Sequence, residues 1–416
     1  MSDHCVVLKF GGSSLATVER IRNVAVRVKV DYLDKGFNVA VVVSAMGKTS
    51  DGLVELAQKT SSVFNGREMD QLLVIGEQQS AALLAMAMEE MGIKAKSFNG
   101  LQAGFITKGH HTEGRIVDVN PKRVACWMDE GGTAVVTGFQ GINEFGDFMT
   151  LGRGGSDLSA VALSVALNAE FCHIYTDVDG IFTADPRLVS NAKRLSSVSY
   201  DECIEMAALG ARVLQARSIE FASLYKMPIY VSSSILDGEG TWVKEANMEE
   251  NIKHGKVKEG LTIKAIVHDK NIAKIAVLGV PDVPGIAAGL FSKLAERGIG
   301  VEMIIQSVMR GDVNDIAFLV KEALLGEAIE VCNDYAREID AQGVTYDSEI
   351  GRVSVVGIGL SVYPDIPAQM FSVLSREGIN IDMISSTSNS ITCVISSSSI
   401  DKAVSSLHRH FMEGEK

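Results

Sequence analysis

A chain of 416 residues with 46 % hydrophobic content can bury two or three separate cores, and a net charge of −13 with no basic stripe interleaved with aromatics argues against a nucleic-acid partner. The longest apolar stretches, 39–43 and 81–87, are far short of a membrane span, and no charged-then-apolar leader opens the sequence, so a cytoplasmic protein without membrane association is expected. The six cysteines (Cys5, Cys126, Cys172, Cys203, Cys332, Cys393) are scattered with no C-x-x-C pair, which excludes a disulfide framework or zinc site and leaves them as reduced packing residues.

Through about residue 235 the pattern alternates strand and helix. Residues 6–10 read as a buried strand; Val18, Ile21, Ala25, Val28 and Tyr32 then recur at helical spacing, with Gly36 where a C-cap belongs. Residues 39–43 form the next strand, and after a long amphipathic helical region come short β-rich runs at 134–136, 172–175 and 229–231. Such alternation predicts an α/β domain with a mainly parallel sheet sandwiched by helices, whose ligands gather beyond the carboxyl ends of the strands. His110-His111 reads as a solvated loop pair in preference to a metal site, and the charged, Gly-containing stretch 237–260 reads as a linker.

Beyond that linker the chain repeats itself. Sliding residues 275–304 onto 355–384, an offset of 80 without a gap, gives eleven identities, among them Pro284/Pro364, Phe291/Phe371, Gly298/Gly378 and Met303/Met383. Chance would give roughly two, so the segment is duplicated. Each copy reads strand, Pro-bearing loop, amphipathic helix, Gly turn, strand, which predicts two βαββαβ units of ferredoxin-like form; a duplication used only for packing or dimerisation is the alternative.

Two glycine-rich motifs stand out: Lys9-Phe10-Gly11-Gly12-Ser13-Ser14 and Gly152-Arg153-Gly154-Gly155-Ser156-Asp157. Each places glycines at the exit of a β-branched run and is expected to open a helix, exposing backbone N–H groups to a phosphate. The sequence contains no G-x-x-x-x-G-K-[ST], no G-x-G-x-x-G in a βαβ setting, no H-R-D and no D-F-G, so P-loop and protein-kinase readings fall away.

Together with Val43-Ser44-Ala45-Met46-Gly47-Lys48-Thr49, Gly76-Glu77 and the run from Thr176-Asp177 through Phe182 to Asp185-Pro186-Arg187, these motifs resemble the aspartate kinase family, in order and over nearly the whole chain. The duplicated segment resembles that family's paired ACT domains. The chemistry suits the resemblance: an acceptor carboxylate with a pKa near 4 is already ionised at neutral pH and needs no general base. What remains is positioning and charge neutralisation, for which Lys9 supplies a cation, Gly11 and Gly12 backbone donors, and Asp157 with Ser156 a helix N-terminus.

The resemblance implies that Ser44, Thr49, Glu77, Arg153, Ser156 and Asp157 hold L-aspartate, Arg153 gripping the α-carboxylate and Glu77 or Asp157 answering the ammonium. Taken alone, Arg153 is also readable as a structural ion pair and Glu77 as a surface-facing helix residue. It further implies that Lys9, Gly12, Ser13, Thr176, Asp177, Phe182, Asp185, Arg187 and Arg212 meet ATP, with Mg²⁺ bridging its phosphates; Phe182 stands where a tyrosine is common. In the first ACT copy Val283, Pro284, Gly285, Ile286 and Gln306 are the implied effector contacts. In the second, Asp365 and Pro367 occupy loop positions where small residues are usual. The implied organisation is an amino-acid kinase domain at 1–245, a linker at 246–270 whose residues 261–267 add a strand to the last domain, and ACT domains at 271–345 and 346–416. The expected activity is ATP-dependent phosphorylation of the β-carboxylate of aspartate, opening the route to lysine, threonine and methionine, with lysine or threonine as effectors and a homodimer or higher oligomer formed through the ACT domains. A glutamate or acetylglutamate kinase and a catalytically silent amino-acid sensor are the alternatives.

Overall fold

The computed structural model describes residues 4–63, 65–211, 213–245, 262–307 and 313–414, and these form two compact units. The first takes the described residues of 1–182, 194–208 and 212–257; the second takes those of 183–193, 209–211 and 258–416. Blocks read along the sequence and folded units therefore part company at 183–193.

The first unit is built on an eight-stranded sheet in the order Ser197–Val198, Thr241–Val243, Ile229–Ser233, Phe171–Thr176, Cys5–Phe10, Asn38–Val43, Thr133–Thr137, Ala95–Phe98. Every pairing is parallel except that of Ile229–Ser233 with Thr241–Val243. Asn38–Val43 is buried on both faces from Val39 onward, as its unbroken valine and alanine run requires of a strand covered by helices on each side. Helix Val18–Asp31 turns Ile21, Val24, Ala25 and Val28 into the core, and the Thr17 side chain caps it by accepting the Arg20 N–H at 3.2 Å. Truncating a fully buried core residue such as Leu8 to alanine costs about 2–5 kcal/mol.

Two expectations are not met, and one sheet was not foreseen. Gly36 caps a short 3₁₀ turn, Leu33–Lys35, and not the helix, which ends at Asp31. The stretch 237–260 is not linker throughout: Thr241–Val243 enters the main sheet with Thr241 and Val243 wholly buried, because a Thr-Trp-Val triplet is better placed in a ladder than in water; residues 246–261 lie outside the described ones. A second, smaller sheet, ordered Arg115–Val119, Phe105–Lys108, Gln140–Ile142, Phe148–Thr150, has no counterpart in the sequence reading.

The second unit holds two four-stranded antiparallel sheets. One is a complete βαββαβ copy, ordered Val301–Gln306, Val313–Lys321, Ile272–Pro281, Gly343–Asp347, with helices Ile286–Glu296 and Leu325–Glu338 closing a core around Leu290, Leu294, Phe318 and Cys332. The other is ordered Thr262–Asp269, Ile350–Ile358, Ser390–Ser396, Met383–Ser386, so its edge strand comes from upstream of the first copy. Ala184 and Val189, from the 183–193 piece, lie in the core of this second copy, and the Thr183 Oγ1 pairs with the buried His408 Nε2 at 2.9 Å.

Candidate active site

Lys9 sits in the central strand Cys5–Phe10, flanked by Val42 and Ile174 in the neighbouring strands. A lysine there is costly unless it is paired. Its Nζ lies 2.6 Å from Asp157 Oδ1, with both side chains only 11 % exposed. Asp157 comes from the first turn of helix Gly155–Ala166, where a carboxylate also complements the helix dipole.

Gly11 and Gly12 follow Lys9. A Cβ at 12 would stand 2.8 Å from Ala45 O and 3.3 Å from Gly47 O, and Gly47 N donates to Gly12 O at 3.1 Å, so the segment Ser44 to Thr49 runs directly against the glycines. The helix expected after Gly12 is shorter than the sequence suggested. Gly12–Leu15 is a single 3₁₀ turn and the α-helix begins only at Val18, because Thr17 is the better cap. Thr49 opens helix Thr49–Thr60, its Oγ1 donating to Met46 O at 2.6 Å.

Glu77 is no surface residue. It is 3 % exposed in helix Gly66–Glu90, its Oε1 accepts the Ala45 N–H at 3.0 Å, and its Oε2 is buried without a hydrogen-bond partner in the protein. Burial pushes its pKa up from 4.5 to about 7, against the pull of its own backbone N–H and that of Ala45. Thr137 Oγ1, at the end of the strand beside Val43, is likewise buried and unpartnered. Both orphaned atoms lie near the carboxyl end of the Asn38–Val43 strand, Glu77 through its bond to Ala45 and Thr137 as the cross-strand partner of Val43.

The motif Gly152 to Asp157 does not follow a strand of the parallel sheet, as expected, but leaves Phe148–Thr150 of the smaller sheet. Gly154 N-caps helix Gly155–Ala166 with φ +74°, a left-handed conformation that a side chain resists. Ser156 and Asp157 are buried, Ser156 lying against Gly138, whose N–H donates to Val43 O at 3.0 Å. Contacts thus link Lys9, Gly11, Gly12, Ser44, Glu77, Ser156 and Asp157 into one neighbourhood, while Arg153 stands exposed on the loop beside it.

Of the residues expected to meet nucleotide, Thr176 ends the strand Phe171–Thr176, its hydroxyl donating to Asp177 Oδ1 at 3.1 Å; its carbonyl accepts Ser234 N–H at 2.8 Å, and Ser14 Oγ donates to Ser234 Oγ at 2.7 Å. Ser13 is exposed in the 3₁₀ turn, and Phe182 bridges to Arg194. Asp185 and Arg187 belong to the second unit, where the Arg187 guanidinium folds onto Asp185 at 2.7–3.2 Å and holds that carboxyl below its ordinary range. Arg212 lies outside the described residues.

In the first ACT-like copy, Val283, Pro284 and Gly285 form an exposed loop into helix Ile286–Glu296, Ile286 is half-buried, and Gln306 is exposed at the end of an edge strand. In the second copy Pro367 falls in the first turn of helix Asp365–Arg376, where no intrahelical N–H is needed, and Asp365 accepts from Gln369 Nε2 at 2.8 Å.

Sequence reading missed Asp70. Fully buried, it accepts from Thr150 Oγ1 at 2.6 Å and from Thr112 N at 3.1 Å, and pairs with His111 Nδ1 at 2.6 Å, so His111 is not a simply solvated loop residue. The signal was present: 70, 73, 74 and 77 form one helical stripe on which two carboxylates interrupt leucine and valine.

Residues 4–233 match the amino acid kinase family, and residues 275–335 and 353–411 match an ACT domain. The chain is 46 % identical over 413 residues to the aspartokinase of Mycolicibacterium smegmatis, covering 98 % of this chain and 96 % of that one. The aspartate kinase structure from Synechocystis is 40 % identical, with a TM-score of 0.54 over 98 % of this chain and 69 % of that chain. Aspartokinase III of E. coli, solved with aspartate and ADP, shares the fold alone, at 24 % identity and a TM-score of 0.79 over 97 % of this chain and 99 % of that one. Its complex with lysine and aspartate gives 23 % identity and a TM-score of 0.73 over 98 % and 99 %. With an amino acid kinase module, paired ACT modules and this identity from end to end, the chain belongs to the aspartokinase family.

Proposed function

We propose that the chain transfers the γ-phosphoryl group of ATP to the β-carboxylate of L-aspartate, giving 4-phospho-L-aspartate on the route to lysine, threonine and methionine. The observation that carries this reading is the buried Lys9–Asp157 pair beside the Gly11-Gly12 backbone, with the open Oε2 of Glu77 nearby in the same fold. Asp157 orients Lys9, whose cation faces the charge spreading over the transferring phosphoryl group, while the Gly11 and Gly12 N–H groups stabilise the same charge without reorganisation. The acceptor carboxylate arrives ionised, so no histidine is required. The substrate ammonium completes Glu77 and favours its charged form. The Arg153 fork takes the α-carboxylate, with the hydroxyls of Ser44, Thr49 and Ser156 filling the remaining acceptor positions.

On the nucleotide side we assign Ser13, Thr176, Asp177 and Phe182, with Asp185, Arg187 and Arg212 as the remainder of the same motifs. Among the described residues no three His, Cys, Asp or Glu side chains cluster as a metal cage. That suits Mg²⁺ carried in on the nucleotide phosphates, with no dedicated protein cage. When bound, the ion neutralises phosphate charge. The assigned domains are the kinase at 1–245, a linker at 246–270 from which 261–267 serve the last domain, and ACT domains at 271–345 and 346–416. Lysine and threonine are the proposed effectors, taken by Val283, Pro284, Gly285, Ile286 and Gln306, and the proposed assembly is a homodimer or larger through the ACT modules. A cytoplasmic location is proposed; no helix among the described residues is long and apolar enough to cross a membrane.

A hydroxamate assay with Mg-ATP and a panel of aspartate, glutamate and acetylglutamate, each with and without lysine and threonine, tests the proposal. Product with aspartate alone, reduced by an effector, is expected. Preference for glutamate or acetylglutamate would overturn the substrate, and no product with any acceptor would overturn the activity.

A further inference from the structure

The loop that presents Arg153 has to hold left-handed backbone at both Gly152 (φ +72°) and Gly154 (φ +74°) between a strand and a helix. Two side chains from the start of helix Ala216–Tyr225 hold it there. Arg217 Nη1 donates to Leu151 O at 2.8 Å, immediately before Gly152, and Arg217 Nη2 donates to Gly114 O at 2.9 Å. Gly114 N in turn donates to Thr150 O at 2.8 Å, so one guanidinium straddles both chain segments at the root of the loop. Gln215 lies against Gly154, its Cβ and Cγ filling the space that a side chain at 154 would need. Ser218 Oγ donates to Gln215 O at 2.7 Å and fixes the turn from which both clamps project.

Arg217 is half-buried, and the charges around it are mixed. Burial and Arg115 disfavour its cation, while Glu220 and Glu113 favour it. Neither fork nitrogen is spent on those carboxylates; both go to backbone carbonyls. A charge-assisted hydrogen bond to a carbonyl fixes the position of main chain, which is what a catalytic loop of four residues with two left-handed glycines needs.

We propose that Arg217 is a positioning residue for phosphoryl transfer, with Gln215 as its assistant: together they hold Leu151 to Gly154 so that Arg153 meets the substrate α-carboxylate. This rests on the assignment of Arg153 to that carboxylate. The clamp acts through the loop and touches no reacting atom, so its loss falls on aspartate and spares ATP.

The test is a mutant cycle in the full-length enzyme: Arg217→Gln, Arg217→Lys, Gln215→Ala, Arg153→Ala and Arg217→Gln with Arg153→Ala. KM for aspartate and for ATP are measured separately, and thermal unfolding verifies folding. Arg217→Gln is expected to raise the aspartate KM about tenfold or more, the size of one charge-assisted hydrogen bond, with the ATP KM within about twofold of wild type. Lysine at 217, which reaches only one carbonyl, recovers part of the loss. In the Arg153→Ala background the same change adds less than about twofold, because the loop then has nothing to present. Equal rises in both KM values, or full additivity with Arg153→Ala, would reduce Arg217 to a structural residue and overturn the inference. So would an unchanged aspartate KM in Arg217→Gln, or in Arg217→Lys and Gln215→Ala should Arg217→Gln fail to fold. An unchanged aspartate KM in Arg153→Ala would instead remove the assignment of Arg153, and the inference with it.

Discussion

Replacing Glu77 with glutamine is expected to make the kinase unit more stable and the enzyme worse. Burial raises the Glu77 pKa from 4.5 to about 7. The folded state therefore holds a proton that the unfolded chain has already released between those two values, and stability falls as pH rises through that window. At about 1.4 kcal/mol per pH unit, the ionised carboxylate costs about 3 kcal/mol of folding free energy above pH 7, and nothing below pH 4.5. Glutamine keeps an acceptor for the Ala45 N–H and never ionises. The variant should exceed wild type by about 2–3 kcal/mol at pH 8 and match it near pH 4.5. Both tryptophans of the chain, Trp127 and Trp242, lie in the first unit, so urea unfolding followed by tryptophan fluorescence reads that unit without interference from the ACT modules. The same substitution should raise the aspartate KM tenfold or more, since a charged partner of the ammonium is lost. Wild-type aspartate KM should likewise rise as pH falls below about 7, where Glu77 must first give up its proton. A glutamine variant that is less stable at pH 8, or whose advantage does not change with pH, would refute the reasoning.

Lys9→Ala should lower kcat by about 10²–10³ and also cost about 3–5 kcal/mol of stability, because Asp157 is left buried without its cation. Urea unfolding of Lys9→Met combined with Asp157→Asn should recover most of the stability and none of the turnover; recovered turnover would acquit both residues. Gly154→Ala should destabilise by at least about 1 kcal/mol and raise the aspartate KM, since the new Cβ combines left-handed strain with a collision against Gln215. Pairing it with Gln215→Ala, scored by thermal unfolding and KM, should relieve only part of the collision, because the Cβ of residue 215 stays 2.6 Å from the new atom, and should leave the left-handed strain in place. Gln306→Ala should abolish inhibition at unchanged basal rate, and calorimetry showing undiminished lysine and threonine affinity would place the effector site elsewhere.

The central strands of the main sheet were legible because they are buried on both faces: runs such as 39–43 and 172–175 admit no alternative periodicity, whereas Ala95–Phe98, Ser197–Val198 and Thr241–Val243, short and at or near the sheet edges, were not read as strands. The duplication was legible because hydrophobic spacing and Pro and Gly positions recur together. The smaller sheet was not, since Arg115–Val119 is mostly exposed and Gln140–Ile142 spans three residues, too short for any alternation to register. The candidate site divided along the same line. Lys9 and Asp157 stood in glycine-rich motifs and could be named, but their pairing depends on a helix arriving from a second sheet. Glu77 and Asp70 share one helical stripe, yet only the packing shows that both carboxylates face inward. The grip of Arg217 on the loop could not be read, because its partners are backbone carbonyls, which every sequence has.

That last distinction separates two kinds of specificity in this fold. Lys9, Asp157 and Glu77 are charges held where water is scarce, and their energies are fixed by what lies within 3 Å of them. Arg153 and Gln306 are exposed, and their value depends on how firmly the backbone aims them. A buried charge resists substitution because its partner is stranded, whereas an exposed one tolerates substitution and fails only in function. Selection on catalysis and selection on stability therefore act together at Lys9 and Asp157 but in opposition at Glu77, whose carboxylate the fold would discard. On the proposed assignment a substrate ammonium would favour the charged form of that carboxylate, and this makes the pH dependence of the Glu77→Gln variant the sharpest test of an amino-acid substrate.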